Sequence, residues 1–169
     1  MLIDEIAVVL KGGDGGNGKV SFGKISRPGP DGGNGGDGGD LYLEAASDLT
    51  LLNQFSAKDE FQAQNGVPGD KKKMSGAKGS DIVLFVPFGT NIKDVETLEE
   101  WNLEKVHERI LLCKGGVGGK GNWEFRSPTN TTPKYAQPGE MGQKRKLFLN
   151  LKFIADFGFI GLPNAGKSS

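Results

Sequence analysis

A group of residues near the carboxyl end of the sequence has the types and spacing needed to bind phosphate. An apolar run at Phe157–Ile160 leads into GLPNAGKS at Gly161–Ser168, which matches the pattern GxxxxGK[ST]. In such loops backbone N–H groups surround the β-phosphate, the lysine reaches the β- and γ-phosphates, and the hydroxyl coordinates Mg²⁺. The pattern predicts a nucleotide site with Lys167 as the catalytic, charge-stabilising residue and Ser168 as the metal ligand.

The whole loop is predicted to contact the phosphates of the nucleotide. Its residues are Gly161, Leu162, Pro163, Asn164, Ala165, Gly166, Lys167 and Ser168. Such a loop normally opens a helix whose N-terminal amides hold the phosphates, and here only Ser169 follows it. We therefore expect an N-terminal region of a longer protein, in which residues 155–169 begin a nucleotide-binding domain. This region alone is expected not to hydrolyse nucleotide.

Glycine is the most unusual feature of the composition. It supplies 28 of 169 residues, well above the roughly 7% that is usual, and the pattern GGxGGxG occurs at 12–18, 32–38 and 115–121. A period of three matches polyproline II, which has three residues per turn, so each segment offers two bare edges to its neighbours. We predict that the segments pack as a bundle, with N–H groups bonding to carbonyls of adjacent segments.

Two other interpretations of these segments stay open. Glycine-rich stretches often serve as flexible linkers, although Asp and Asn rather than Ser occupy the third positions here, and Val20, Phe22 and Ile25 could anchor the first two copies. Residues 35–43, GGDGGDLYL, also fit one nonapeptide of a calcium-binding parallel β-helix, with Asp40 at the acidic position. Collagen is disfavoured because it needs a long, proline-rich Gly-X-Y array.

Most of the remaining chain predicts short strands rather than long helices. Apolar or β-branched runs bounded by turn residues occupy Ile3–Leu10, Leu41–Ala46, Asp81–Pro87, Gly89–Ile92, Arg109–Cys113 and Lys146–Ile154. Thr97–Glu108 fits one or two helical turns about as well as a hairpin. Residues 1–154 are therefore predicted to form a mainly-β domain, a small barrel or sandwich, with glycine-rich arms at about 11–40 and 114–122.

Charge and cysteine content exclude several classes of protein. Lys plus Arg and Asp plus Glu both number 21, which argues against a uniformly basic nucleic-acid binder. Residues 1–70 carry a net charge of −6 and residues 71–169 a net charge of +6, so a basic surface would draw mainly on the second part. The single Cys113 and single His107 exclude a disulfide within the chain and a Cys/His zinc cluster. Without a basic leader or long apolar run, we expect a cytoplasmic protein with no membrane partner.

Five motifs spread over the chain resemble the bacterial Obg GTPases. They are KGGDGGNGKVSFGK at 11–24, PGPDGGNGGDGGDLYLEA at 28–45, VPFGT at 86–90, KGGVGGKGN at 114–122 and LKFIADFGFIGLPNAGKSS at 151–169. That family has an N-terminal Obg domain, a β-barrel bearing a bundle of polyproline II helices, followed by a Ras-like GTPase domain. The resemblance thus implies the bundle that the period of three predicts.

The resemblance also implies a function. Such proteins bind and hydrolyse GTP, act in assembly of the large ribosomal subunit, and respond to stress through guanine nucleotides including ppGpp. Here the loop would bind GTP or GDP with Mg²⁺, and Asn164 resembles the asparagine with which some related GTPases help to hold K⁺. The glycine-rich tip would enter ribosomal RNA, stress-signalling proteins are further expected partners, and a monomer is expected. The alternatives are a protein-interaction module without an RNA role and a calcium-stabilised structural domain.

Basic residues beside the glycine blocks are the candidates for RNA contact. They are Lys11, Lys19, Lys24, Arg27, Lys114, Lys120 and Arg126. Further basic groups, which could equally be solvated loops, are Lys71–Lys73 with Lys78 and Lys144–Lys146. Acidic residues share the glycine blocks, and the segment after Phe22 is shorter and less basic than is usual in the family.

Overall fold

The computed structural model describes residues 3–26 and 28–151 of the protein. Within these residues the strands are β1 Glu5–Lys11, β2 Leu41–Ala46, β3 Glu60–Gln62, β4 Ile82–Pro87, β5 Thr90–Asp94, β6 Glu100–Leu103, β7 Arg109–Cys113 and β8 Lys144–Leu151. Helical structure in this part is limited to α1 Gln54–Ala57 and the short 3-10 segments Leu51–Asn53 and Asn122–Phe125. The mainly-β class predicted from the sequence is confirmed.

The strands belong to two sheets with the orders β3-β1-β8-β5-β6 and β4-β2-β7. Pairs β1-β3 and β2-β4 are parallel, and the other neighbours are antiparallel. Among the described residues the two sheets do not close into one barrel, because no backbone ladder joins the edge strands β3 and β6 of one sheet to the edge strands β4 and β7 of the other. Instead, the Arg145 side chain of β8 donates a hydrogen bond to the Leu112 carbonyl of β7 at 2.7 Å.

One apolar core unites both sheets. Along β8 the buried residues are Leu147, Leu149 and Leu151, as their alternation in the sequence predicts. They pack in one cluster with β2 residues such as Leu43 and with Phe55 of α1. Burial of each large apolar side chain contributes about 1.5–3 kcal/mol, so this core supplies most of the stability of the sheets.

Most strands lie where the sequence predicts them, with ends shifted by one to two residues. Thr97–Glu108 contains one arm of a hairpin, since β6 pairs antiparallel with β5. The end of the predicted strand Lys146–Ile154 lies outside the described residues. Two elements, α1 and β3, were not predicted. Both are short, and they are joined by the edge-to-face contact of Phe55 with Phe61 at 5.3 Å between ring centroids.

The glycine-rich segments form the predicted bundle. The bonds between the first two segments recur every third residue, with N–H donors Gly13, Gly16 and Lys19 and carbonyl acceptors Gly39, Gly36 and Gly33. The 115–121 segment joins both, since Gly116 donates to the Gly13 carbonyl and Gly38 donates to that of Gly116. This three-residue period is that of polyproline II helices, and the paired N–H groups make the segments structured rather than flexible.

Three further segments, 64–70, 74–80 and 137–143, complete the bundle and were not predicted. Each has glycine at only one position of the three-residue repeat: Gly66 and Gly69, Gly76 and Gly79, and Gly139 and Gly142. At Gly66 an added Cβ would overlap the carbonyl group of Gly36, so even these segments need their bare edge. No helix among the described residues is long and apolar enough to cross a membrane.

Candidate nucleic-acid interface

The bundle has a base at the sheets and a tip at its far end. Segments 12–18 and 32–39 run antiparallel, as do 64–70 with 74–80 and 115–121 with 137–143. Loops at 19–31, 70–74 and 121–136 join the segments of each pair at the same end, and we call these three loops the tip. Seven residues at about 3.1 Å per residue place the tip roughly 20 Å from the sheets.

Positive charge is concentrated at the tip. Its described residues include seven basic ones: Lys19, Lys24, Lys71, Lys72, Lys73, Arg126 and Lys134. It contains three acidic residues: Asp31, Asp70 and Glu124. A chain with zero formal net charge thus presents a strongly positive end, which is what a polyanion would encounter first.

The structure places the seven residues predicted to contact RNA in different parts of the molecule. Lys19, Lys24 and Arg126 lie in the tip and Lys120 directly precedes it, whereas Arg27 lies outside the described residues. Lys114 lies at the base, as does Lys11, whose Nζ is 2.9 Å from the Asp14 carboxylate and whose side chain is only 13% exposed. RNA contact stays a prediction for each of them, and the structure favours the tip group.

Of the other two basic runs, one also lies at the tip and one lies away from it. Lys71–Lys73 form the second loop of the tip. Lys144–Lys146 lie on β8, where Arg145 points inward and its guanidinium contacts Asp94 at 2.8 Å and Glu99 at 3.0 Å. Arg145 therefore has a structural role. Of these three residues, only Lys144 and Lys146 are exposed.

Asn122 fixes the first tip loop against the third. It is fully buried, and its Oδ1 accepts a hydrogen bond from the Gly32 N–H at 2.8 Å. Its Nδ2 donates to the carbonyls of Ser21 and Pro133, each at 3.0 Å. A buried amide with both ends bonded holds the loops in one arrangement.

Asp31 connects the first loop to the second and holds a strained turn. Lys72 and Lys73 both have φ of 59°, the left-handed region that residues with a Cβ avoid at a cost of about 1–3 kcal/mol each. The Lys73 N–H donates to the Asp31 carbonyl at 2.6 Å, and the Lys72 N–H donates to Asp31 Oδ2 at 3.3 Å. These bonds set the direction in which the two lysines leave the backbone.

A cleft of about 670 Å³ opens between the tip loops. Its lining includes the cationic residues Lys24, Lys72, Lys73 and Arg126, the hydroxyl residues Ser26 and Thr131, and Pro28, Pro30 and Asp31. All three loops contribute, so the cleft exists only because the bundle brings them together. Four cations around one concave site can bind phosphate groups.

Trp123 organises two of these cations, and sequence reasoning missed it. The Arg126 Cζ lies 4.0 Å from its ring centroid and the Lys73 Nζ lies 4.6 Å away. Cation–π contacts of this kind contribute about 0.5–2 kcal/mol and restrict the side chains involved. The available signal was an aromatic residue three positions before Arg126 within the loop that follows the third glycine block.

The acidic residues of the glycine blocks bind backbone amides. Asp40 and Asp37 accept hydrogen bonds through Oδ1 from the N–H groups of Gly115 and Gly118 at 2.7 and 2.8 Å. Asp14 accepts one from Gly142, and this bond, followed by the Lys11 ammonium, lowers the pKa of the Asp14 carboxyl. The Asp40 carboxylate, which the calcium interpretation assigns to the ion, thus accepts a hydrogen bond from a backbone amide instead. Among the described residues no group of three His, Cys, Asp or Glu side chains is placed to hold a metal.

The predicted phosphate loop, Gly161–Ser168, lies outside the described residues, as do the preceding strand and the boundary at residue 154. The roles of Lys167 and Ser168 therefore stay predictions.

Comparison with known proteins identifies the family. A family model described as GTP1/OBG matches residues 3–153. The GTPase Obg of Nautilia profundicola is 47% identical over 173 residues, covering 100% of this chain and 48% of the relative. That of Aquifex aeolicus is 46% identical over 171 residues, covering 99% of this chain and 50% of the relative. The chain spans about half the length of these curated relatives, and it belongs to the GTP1/OBG family.

Proposed function

We propose that the chain is the Obg-domain part of a cytoplasmic, monomeric protein that binds and hydrolyses GTP and acts in assembly of the large ribosomal subunit and in the stress response. Family membership and the GxxxxGK[ST] run support this proposal. Gly161–Ser168 would bind GTP, GDP or ppGpp, with Lys167 on the β- and γ-phosphates and Ser168 on Mg²⁺. Asn164 would help to hold K⁺, and stress-signalling proteins would be further partners.

Within this function we assign ribosomal RNA binding to the tip. The observation that carries the assignment is that seven basic and three acidic residues lie in the described part of the tip, at one end of a chain without formal net charge. The glycine edges of the arm face neighbouring segments, as at Gly16, where an added Cβ would overlap the Val67 carbonyl group. RNA contact is therefore expected at the loops and not along the arm.

Co-sedimentation of the 169-residue chain with purified large ribosomal subunits over a salt series tests the assignment. The tip variant K72Q/K73Q/R126Q should reduce the slope of log affinity against log salt by about 2–3, since each lost phosphate contact accounts for about 0.9. The matched control K105Q/K144Q/K146Q removes three exposed lysines outside the tip and should behave as the parent. Equal effects of the two variants would contradict RNA binding by the tip.

Protein docking by the smaller sheet is the second candidate function. Phe85 and Leu111 lie on its outer face, opposite Glu44 and Tyr42 of β2, and are 44% and 48% exposed. If this candidate holds, the variant F85S/L111S would lose binding to a partner protein at a salt concentration where RNA binding has disappeared, whereas the tip variant would retain it.

A further inference from the structure

We propose that the cleft at the tip holds a single unpaired nucleotide, so that the RNA recognised is a bulge or loop rather than a continuous duplex. This inference rests on the proposed RNA-binding function and specifies its substrate class. A volume of about 670 Å³ lies within the range of about 300–1,000 Å³ typical of small-ligand pockets. A base can enter such a site only when it has left its helix.

The walls of the cleft match the parts of a nucleotide. Lys24 and Lys72 supply positive charge for the flanking phosphates. Pro28 and Pro30 supply apolar surface for a flat base, and Ser26 supplies a hydroxyl for hydrogen bonds to its edge or to a ribose. Cations alone would bind any polyanion, so the apolar and hydroxyl walls are what favour an unpaired nucleotide.

Arg126 is placed to stack against the entering base. A guanidinium plane stacks on nucleobases as an aromatic ring does. Here the guanidinium is already held on Trp123 at 4.0 Å, so little side-chain freedom remains to be lost on binding.

An exposed apolar side chain beside the cleft supports the same conclusion. Ile25 is 99% exposed and stands between Lys24 and Ser26, which both line the cleft. Such a residue can insert into the gap that an extruded nucleotide leaves in the base stack, as apolar wedges of nucleic-acid binding proteins do. The side chain then gains the burial that it lacks in the free protein.

The tip also holds the buried polar side-chain atoms of the described structure that lack a hydrogen-bond partner. The buried side-chain atoms without a hydrogen-bond partner among the described residues are Asp31 Oδ1 and Trp123 Nε1, and both lie at the tip. Each costs about as much as a lost hydrogen bond, and the left-handed turn at Lys72 and Lys73 adds strain. Unsatisfied buried groups concentrated at one place are typical of a binding site whose geometry is kept at the expense of stability.

Three RNA hairpins test the inference by fluorescence anisotropy with the 169-residue chain. One has a single bulged adenosine, the second is fully paired, and the third has an abasic residue at the bulge. The bulged hairpin should bind about tenfold more tightly than the paired one, and the abasic hairpin should lose that preference. R126K keeps the charge but lacks the planar group, so it should lower the ratio of bulged to paired affinity several-fold, whereas K144Q should leave the ratio unchanged.

Equal affinity for the bulged and paired hairpins, or for the bulged and abasic hairpins, would overturn the inference. Salt-dependent binding to large subunits could then still hold, and RNA binding by the tip would stand without the nucleotide pocket. Binding to neither hairpins nor subunits would overturn both proposals. A bulge preference without subunit binding would retain the pocket and remove the ribosomal assignment.

Discussion

The sheets and the glycine bundle bury their interiors with different chemical groups. Between the sheets, apolar side chains such as Leu43 and Leu149 are fully buried and exclude water. Inside the bundle, backbone meets backbone, and Gly38 approaches the Gly13 carbonyl so closely that a Cβ would overlap it. Side chains can adjust to a new neighbour through their rotamers, whereas a hydrogen-bonded backbone cannot. A glycine-rich composition, which usually gives flexibility, therefore gives a structured arm here.

The two ends of the glycine bundle also differ. At the base, Lys11 pairs with Asp14 and Lys78 pairs with Asp81, at 2.9 and 3.0 Å, so charge is balanced locally. At the tip, cations surround a cleft and one turn is strained. The bundle thus separates a base with two local ion pairs from a positive tip, and the following variants test that division.

Gly38→Ala should have the largest effect on stability. The added Cβ overlaps backbone that is fixed by hydrogen bonds on both sides, so we expect a cost of about 4 kcal/mol or more and loss of amide protection throughout the arm. Thermal unfolding measures the stability cost, and hydrogen exchange of the Gly16 and Gly116 amides measures the loss of protection. The control is Val117→Ala. Val117 occupies a non-glycine position of the three-residue repeat in the same bundle and is 55% exposed, so this substitution should change stability and amide protection little. Unaltered protection in G38A would mean that the arm is not packed through glycine.

Leu149→Ala should destabilise the sheets by about 3 kcal/mol because it leaves a cavity in the core. Leu149→Met keeps the volume and should cost less than about 1.5 kcal/mol. Chemical denaturation of both variants gives the two values. The comparison with Gly38 predicts that no equivalent mild substitution exists in the bundle, so Gly38→Ser should be as harmful as G38A. A well-tolerated G38S would remove the distinction between the two interiors.

Asp94→Asn should cost about 2 kcal/mol at neutral pH, since it removes a buried charge that pairs with Arg145. Burial opposes ionisation of Asp94, but the N–H groups of Thr97 and Glu96 and the Arg145 guanidinium outweigh it and lower the pKa of the carboxyl. A lowered folded-state pKa gives stability that is present above the unfolded value, about 3.9, and is lost as pH falls through the folded value. Denaturation curves at pH 7 and pH 3 should therefore differ less for D94N than for the parent. A constant difference between the two proteins across this range would exclude this linkage.

The extent of correct sequence prediction differs between the regions for a physical reason. Strand β8 was predicted because alternation of Leu147, Leu149 and Leu151 records burial on one face. The inner bundle segments, 12–18, 32–38 and 115–121, were predicted because packing along two edges requires glycine at two of every three positions. The outer segments have one bare edge, and Gly66 with Gly69 alone do not distinguish a bundle from a turn.

The cleft could not be predicted because its parts are distant in sequence. Lys24, Lys72 and Arg126 meet only through the pairing of six segments, and no local pattern records that pairing. The basic residues were identified correctly as candidates by type, whereas the role of Asp31 and the position of Trp123 depend on contacts across the tip.

Asp31→Ala should have the smallest effect on stability and a distinct effect on binding. It removes the Oδ2 acceptor of the Lys72 N–H together with the unpaired Oδ1 and keeps the backbone bond to Lys73, so the two effects oppose each other and we expect a change of about 1 kcal/mol or less. The lysines should then lose their fixed direction, and affinity for the bulged hairpin should fall several-fold although the tip becomes more positive. Asp31→Asn keeps a side-chain oxygen and should restore part of that affinity. Tighter binding by both variants would show that Asp31 acts only through its charge, and the base and tip would then differ in electrostatics alone.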